Sequence, residues 1–370
     1  MNIVIVSTSM GMGGTDQQIS QIARHLSDRG HTVSVISLLP TGKMGRELAE
    51  SGVSVTHLSM RRGVADPRCI YYLYKIIQEK EADILSSFLV HANIVSRLAG
   101  WLSATPVVTS IRNDDYCNGI ECLIERTTNW IDKAWVANSA IVARRKIDQK
   151  VVARRKSNVI YNCIDTDIYR PNEISRHEIR SNLGVEEKEF LWVAVGRIEE
   201  QKDYPTMLRA VAKVTPEHNF CLAVAGKGSL KKDVLAVRDQ LELQDKVAFL
   251  GVRRDVPDLL AAADGFVLSS ISEGLPNVVM EALATETPVV STEVGGVSEL
   301  VDHGKSGFLV QPSSSSELAQ SMSELMDVDE KNRKKMGIEG RKRVIHQCSY
   351  ANIVDEWEAL YKKHASLESS

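Results

Sequence analysis

Eleven residues constrain this chain more than any others: Ser272-Glu273-Gly274-Leu275-Pro276-Asn277-Val278-Val279-Met280-Glu281-Ala282. Before them, Gly265 to Ser270 reads as a buried strand running out of its apolar core. After them, Val278 to Ala284 contains no breaker and sets Val278, Val279, Ala282 and Leu283 at helical spacing. Gly274 lets backbone approach a ligand closely, and Pro276 is tolerated in a first helical turn, where an N–H has no partner to lose. The segment is therefore strand, tight loop and helix N-terminus. Such an N-terminus, with the positive end of its dipole, is a site for phosphate. Glu273 and Glu281 frame it. A carboxylate repels phosphate but accepts hydrogen bonds from hydroxyls, so the pair points to sugar hydroxyls beside the phosphate, that is, to a nucleotide-sugar. The bland alternative is two solvated surface glutamates.

The rest of the chain alternates strand and helix, which implies parallel sheets. Ile3-Val4-Ile5-Val6 leads into Gly11-Met12-Gly13-Gly14-Thr15-Asp16 and then a helix with Ile19, Ile22, Ala23 and Leu26 on one face. A dinucleotide fingerprint would need a third glycine where Asp16 stands, which weakens an NAD reading. Strands follow at 32–38, 53–58, 83–88, 106–111 and 134–139, with a helix over 69–80. His91 lies just past the carboxyl end of the 83–88 strand, where a doubly wound sheet binds ligands, and Arg112 leaves the end of the 106–111 strand, followed by Asp114. A polar stretch, 171–184, reads as linker plus a short helix. The alternation restarts at Phe190 to Val195 and continues through strands at 219–225, 247–253, 288–292 and 307–310. A last helix is expected over Tyr350–Lys362.

The Glu273 to Glu281 stretch resembles the Glu-x7-Glu signature of retaining GT-B glycosyltransferases, in particular glycosyltransferase family 4. The likeness is strongest over residues 190–310. The fold it implies is α/β: two Rossmann-like, doubly wound domains facing each other across a cleft. The first is expected over 1–170, completed by a C-terminal helix at about 347–365, and the second over 171–346. The activity it implies is transfer of a hexose or N-acetylhexosamine from a nucleotide-sugar to a hydroxyl of a glycan or lipid-linked saccharide. UDP is favoured over GDP, the anomeric configuration is kept, and no metal takes part. By the same resemblance Glu273 lies by the donor sugar and Glu281 holds the ribose, with Arg197 and Lys202 on the leaving diphosphate and His91 on the sugar. Gly13, Gly14, Gly196, Gly226, Gly274, Leu275, Pro276, Asn277 and Val278 line the donor, and Val252 or Arg253 holds the base through backbone groups. Arg112 and Asp114 fall on the acceptor side. Phrases around Val90-His91-Ala92-Asn93 and Phe249-Leu250-Gly251 resemble bacterial capsule, lipopolysaccharide and exopolysaccharide transferases. The family's usual Asn-Gly is here Asn162-Cys163, so a non-glycine is expected to take a strained backbone shape.

Charge adds a partner. Residues 1–170 hold 21 Lys and Arg against 16 Asp and Glu, while the whole chain is at −3, so the first half is basic and the second acidic. Val-Ala-Arg-Arg-Lys occurs twice, at 142–146 and 152–156, placing Arg144, Arg145, Lys146, Arg154, Arg155 and Lys156 in one short region. That density fits an anionic membrane surface; aromatic residues are not interleaved, as single-stranded nucleic acid would require. The six cysteines form no C-x-x-C pair and there is no apolar run long enough to span a bilayer, so a cytoplasmic enzyme, with a peripheral position on the inner membrane face, is expected. Two rival readings share the fold: a nucleotide-sugar epimerase and a non-catalytic nucleotide-sugar-binding protein.

Overall fold

The computed structural model describes residues 1–61, 66–112, 119–215 and 217–365, the side chain of Ile120 apart. It divides into two compact units. The first begins with β1 (Asn2–Ser7), α1 (Gly14–Asp28), β2 (Thr32–Ser37), α2 (Lys43–Glu50), β3 (Ser54–His57), α3 (Arg68–Glu79) and β4 (Ile84–Phe88). It continues through α4 (Val90–Ser103), β5 (Val107–Ile111), α5 (Gly119–Thr128), β6 (Ala134–Ala137), α6 (Ala140–Asp148) and β7 (Ser157–Val159). All seven strands are parallel, in the order β3-β2-β1-β4-β5-β6-β7. β1, β4, β5 and β6 are buried almost throughout, as strands covered by helices on both faces must be.

The second unit holds α7 (Glu173–Leu183), β8 (Phe190–Val195), α8 (Tyr204–Lys213), β9 (Phe220–Ala225), α9 (Lys231–Gln240), β10 (Val247–Gly251) and α10 (Val256–Ala262). It goes on with β11 (Gly265–Leu268), α11 (Asn277–Ala284), β12 (Val289–Thr292), α12 (Val297–Leu300), β13 (Gly307–Val310), α13 (Ser315–Asp327) and α14 (Glu330–Cys348). Its six parallel strands run β10-β9-β8-β11-β12-β13. The chain then returns to the first unit as α15 (Tyr350–His364), whose Trp357 and Tyr361 are fully buried there beside Phe88.

The chain leaves the first unit at Cys163, seven residues before the expected 170. The reason is local: the Ile164 N–H donates to the Cys348 carbonyl at 2.9 Å, and the Arg341 guanidinium donates to the carbonyls of Tyr169, Thr166 and Ala284. The short helix expected within 171–184 fills nearly all of that stretch, running three turns over 173–183. Arg176 and Arg180 on it reach the buried Asp264 at 2.6 and 2.8 Å and tie it beneath β8 and β11. Burial alone would raise the Asp264 carboxyl, but Arg176, the Leu191 N–H and Arg180 outweigh it and hold it below the usual range.

Cys163 does not take the left-handed backbone that its place in the Asn162-Cys163 pair led us to expect. Gln18 on α1 accepts its N–H at 2.7 Å and donates to its carbonyl at 2.8 Å, so this side chain fixes the turn that glycine would otherwise make by conformational freedom. The repeated pentapeptide also splits. Residues 142–146 lie in α6, whereas 154–156 form a single tight turn before β7, so no continuous basic helix exists. Lys146 is buried against Gln149, and Lys156 donates to the carbonyls of Asn129, Trp130 and Asp132; only Arg144, Arg145, Arg154 and Arg155 of the six are exposed.

Candidate active site

The second unit gathers most of the expected residues at the carboxyl edge of its sheet. The strand order reverses direction between β8 and β11, and ligands of open α/β sheets bind where that happens. β8 ends in Gly196 and exposed Arg197, and one tight turn later comes Lys202. β11 ends before Ser269 and Ser270, and the loop to α11 carries Glu273. Lys202 Nζ lies 2.5 Å from Glu273 Oε1, with both side chains about nine-tenths buried. The Ser270 hydroxyl donates to the same carboxylate oxygen at 2.8 Å. The structure thus joins two residues 71 apart in sequence into one ion pair.

The loops are built to hold that pair. Gln201 donates from Nε2 to the Ser272 carbonyl at 2.6 Å, and its own carbonyl accepts the Ile271 N–H at 2.9 Å. Arg197 reaches Gln201 Oε1 at 3.5 Å. The Ser269 hydroxyl bridges the carbonyls of Lys202 and Asp203. Tyr204, buried at the start of α8, donates to the Gly196 carbonyl at 3.3 Å; burial first, and Glu273 second, push its phenol well above the usual range.

Two glycines are required here. Gly226, at the end of β9, has φ +154°, and a Cβ on it would stand 1.8 Å from the Gly196 carbonyl oxygen. Gly295, after β12, has φ +51°, and its Cβ would stand 2.0 Å from the Glu273 carbonyl oxygen. Each glycine therefore lets its strand end meet a neighbouring segment at backbone distance, Gly226 the end of β8 and Gly295 the loop that carries Glu273. The Gly226 N–H donates to the Gly251 carbonyl, and the Gly296 N–H to the Gly274 carbonyl.

Gly274, Leu275 and Pro276 are buried, and Pro276 is the N-cap, one position earlier than a first-turn proline; α11 begins at Asn277. The first turn of α11, through Asn277 and Val278, carries no acidic residue of its own. Glu281 follows in the second turn, 6% exposed. Val252 is exposed and Arg253 is half-buried, its guanidinium in a two-pronged pair with Asp255.

The remaining expected residues lie in the first unit, at the carboxyl edge of its own sheet. Gly13 caps α1 and Gly14 opens it. Asp16 occupies the place of a third dinucleotide glycine and folds the loop instead, accepting the N–H of Gly11 at 2.8 Å and of Gly13 at 3.0 Å. Burial raises its carboxyl, and those two N–H bonds pull the other way. His91 stands exposed in the first turn of α4, its Nε2 at 3.2 Å from Glu121. Leu89, at φ +77°, makes the turn from β4 that presents it. Arg112 is buried. Its NH1 donates to Asn162 at 2.8 Å and its plane lies 4.8 Å from the Phe88 ring, while Nε and NH2 find no partner among the described residues. Burial lowers it to about 10, so it remains a cation at neutral pH. Asp114 lies outside the described residues.

Sequence reasoning passed over Ser270, Gln201 and Gly295. The glycine-rich run 293–297 was the available signal for the last, and the place of Ser270 three residues before Glu273 was the signal for the first; Gln201 became visible only once its loop met that of Ser272. Two Asp-x-Asp triplets, the pattern of a metal-dependent transferase, also occur in the chain and have local work. Asp165 accepts the N–H groups of Asp167 and Ile168, Asp327 pairs with His218 at 3.0 Å, and Asp329 caps α14.

Comparison with known proteins decides the family. The description Glycosyltransferase Family 4 matches residues 12–168, and Glycosyl transferases group 1 matches residues 175–343. The chain belongs to these glycosyltransferases. N-acetyl-alpha-D-glucosaminyl L-malate synthase of Bacillus anthracis is 24% identical over 363 residues, covering 95% of this chain and 94% of that one. The Escherichia coli UDP-Gal:alpha-D-GlcNAc-diphosphoundecaprenol alpha-1,3-galactosyltransferase is 24% identical and covers 80% of each. Among solved structures, Anabaena HepE in complex with UDP superposes with a TM-score of 0.88 at 22% identity, covering 98% of this chain and all of that one. The fold is that of the GT-B glycosyltransferases.

Proposed function

We propose that this glycosyltransferase moves a hexose or N-acetylhexosamine from a UDP-sugar to a hydroxyl of a glycan or lipid-linked saccharide, with retention and without a metal, in the building of cell-surface polysaccharide. The observation that carries the reading is the Lys202–Glu273 pair at the switch point, with buried Glu281 in the second turn of the helix that follows. The donor's diphosphate takes Lys202 and Arg197, and the first turn of α11 faces its charge. Glu281 accepts from the ribose hydroxyls. Backbone at Val252 and Arg253 meets the base.

The chemistry follows from charge. The bond between the anomeric carbon and the β-phosphate oxygen breaks, and both electrons leave with UDP. A guanidinium and an ammonium stabilise that developing charge. The acceptor oxygen bonds the same carbon on the same face, and its proton passes to the departing phosphate oxygen. No side chain needs to become a covalent nucleophile. Glu273, released from Lys202 when the diphosphate takes the ammonium, accepts from a sugar hydroxyl. His91 keeps the sugar-contacting role that the resemblance gives it. Arg112, a buried cation with two nitrogens that find no partner among the described residues, is assigned to the acceptor side. UDP as the donor nucleotide is supported by the E. coli relative's name and by the UDP and UDP-glucose complexes of the Anabaena protein. An anionic membrane surface belongs to the same reading, supported by exposed Arg144, Arg145, Arg154 and Arg155.

The test is release of UDP from UDP-glucose, UDP-galactose and UDP-N-acetylglucosamine over a panel of glycoside acceptors, each with and without EDTA, followed by NMR of the new linkage. EDTA-insensitive release with an α-linked product, lost in Lys202→Ala, is expected. An inverted product, an epimerised nucleotide-sugar in place of a glycoside, or EDTA inhibition would overturn the reading.

A further inference from the structure

The first unit carries a surface that this chemistry does not use. Trp101 and Leu102 at the end of α4, Leu123 on α5 and Trp130 in the turn after it are 59, 56, 60 and 63% exposed. Single exposed apolar residues are ordinary, but a group of large ones on adjoining elements marks an interaction site. These elements do adjoin. Arg97, one turn before Trp101 on the same side of α4, donates to Glu125 at 2.5 Å, to Thr128 at 3.3 Å and to Asp132 at 2.8 and 2.7 Å. Its reach packs the end of α4 against the segment bearing Leu123 and Trp130.

Basic residues surround this segment. Lys156 donates to the Trp130 carbonyl at 2.8 Å, Asn129 to the Val151 carbonyl at 2.6 Å, and Arg126 to the Gln149 carbonyl at 2.8 Å. Residues 119–156 hold nine Lys and Arg against four Asp and Glu. Glu125 and Asp132 are buried on Arg97, and Glu121 faces His91, which leaves Asp148 as the exposed carboxylate of the stretch. Lys133, Arg154 and Arg155 are all exposed.

The surface has a definite place in the fold. Trp101 comes before β5, Lys133 immediately before β6 and Arg154 before β7, so the group lies along the edge where the parallel strands begin. Gly13, His91 and Arg112 follow strand ends and lie along the opposite edge.

We propose that this strand-entry edge of the first unit docks on an anionic lipid bilayer. Trp101, Leu102 and Trp130 enter the interfacial zone, and Arg126, Lys133, Arg154 and Arg155 meet the headgroups. Tryptophan, with an apolar body and a polar N–H, suits that zone, and the clustered cations match lipid phosphate in sign. The proposal rests on the reading above for its membrane partner. It adds that the contact is a tether on the edge away from the acceptor-side residues, so that docking and turnover are separable.

The experiment is co-sedimentation of the full chain with phosphatidylcholine vesicles and with phosphatidylglycerol–phosphatidylcholine vesicles at low and high salt. Tryptophan emission and light scattering are followed alongside. Binding is expected only with phosphatidylglycerol, with a blue-shifted emission, and is weakened by salt. Arg154→Ser with Arg155→Ser should weaken partition about thirtyfold, since each basic residue near the surface is worth roughly fivefold. Trp101→Ser with Trp130→Ser should lose the emission shift while keeping the wild-type melting curve. Four results would each overturn the proposal: no preference for phosphatidylglycerol, unaltered binding by the tryptophan variant, a concentration-dependent dimer that the tryptophan variant abolishes, or equally tight binding to duplex DNA. UDP binding is read separately on the same proteins. Vesicle binding without UDP binding removes the donor assignment and leaves the surface, and the reverse result removes the surface alone.

Discussion

Replacing Gly226 with alanine should disable the candidate site more than any other single methyl group added to it. The new Cβ would stand 1.8 Å from the Gly196 carbonyl oxygen and 3.0 Å from its carbon, and real Cβ atoms essentially never approach another atom under 3.0 Å. The obstacle is backbone and cannot rotate away. At φ +154° the alanine is also strained whatever the space. Strain of this kind costs about 1–3 kcal/mol, and overpacking adds about 1–3 kcal/mol. Relief requires the ends of β8 and β9 to part by roughly 1 Å, which carries Arg197 and Lys202 with them. A displacement of that size costs on the order of a hundredfold in rate. Gly184 is the control: its φ is +69° and nothing lies within 4 Å of its Cβ position, so Gly184→Ala carries only the backbone term of about 1 kcal/mol. Urea melts and UDP release are measured on both. Gly226→Ala should lose several kcal/mol or, if it folds by opening the loop, about two orders of magnitude in turnover. Gly184→Ala should turn over as wild type. A Gly226→Ala protein with wild-type stability and wild-type turnover would refute the close approach of the two strand ends.

Two further predictions concern stability. Asp264→Asn leaves Arg180 buried beside a neutral amide and should cost about 3 kcal/mol in a urea melt; because the carboxyl is held low in the fold, its contribution is present at neutral pH and fades as pH falls below the carboxylate range. Glu358 on α15 is pulled down to about 2 by Lys362 first and then by Arg29 and His31. With an unfolded value of about 4.3, its contribution is fully present above that pH and is lost as pH falls towards 2. Glu358→Gln should therefore cost about 0.5–1 kcal/mol at pH 7, with the gap from wild type closing between about pH 4 and 2; a gap that widens on acidification would be the wrong sign.

Much of this was legible in the sequence because apolar runs and glycine loops report parallel α/β structure directly. The strands at 3–6 and 190–195 stand out as continuous apolar runs, and the Glu273–Glu281 spacing carried the family. What failed to show was whatever depends on a distant partner. Residues 171–184 read as linker plus a short helix, but the length of that helix did not show, because Arg176 and Arg180 hold it through the distant Asp264. Cys163 needed no left-handed turn, because Gln18, 145 residues earlier, supplies both of its backbone hydrogen bonds. The identical pentapeptides at 142–146 and 152–156 take different forms. Ser139 caps α6 ahead of the first, whereas the second is drawn into a turn by Lys156 bonding to the carbonyls of Asn129 and Trp130. Gln201 belongs to the site only through a 71-residue closure that no local pattern records.

The central claim is a metal-free UDP-sugar site at the carboxyl edge of the second sheet. Calorimetric titration of the wild type and Glu281→Ala with UDP, in EDTA, tests it most directly. Losing charge-assisted hydrogen bonds to the ribose should weaken binding about tenfold to a hundredfold, since each such bond is worth about 1.5–3 kcal/mol. Binding of UDP by the wild type in EDTA, weakened to that degree in Glu281→Ala with an unchanged melt, is the expected result. No UDP binding, binding that requires a metal, or equal affinity in the two proteins would contradict it.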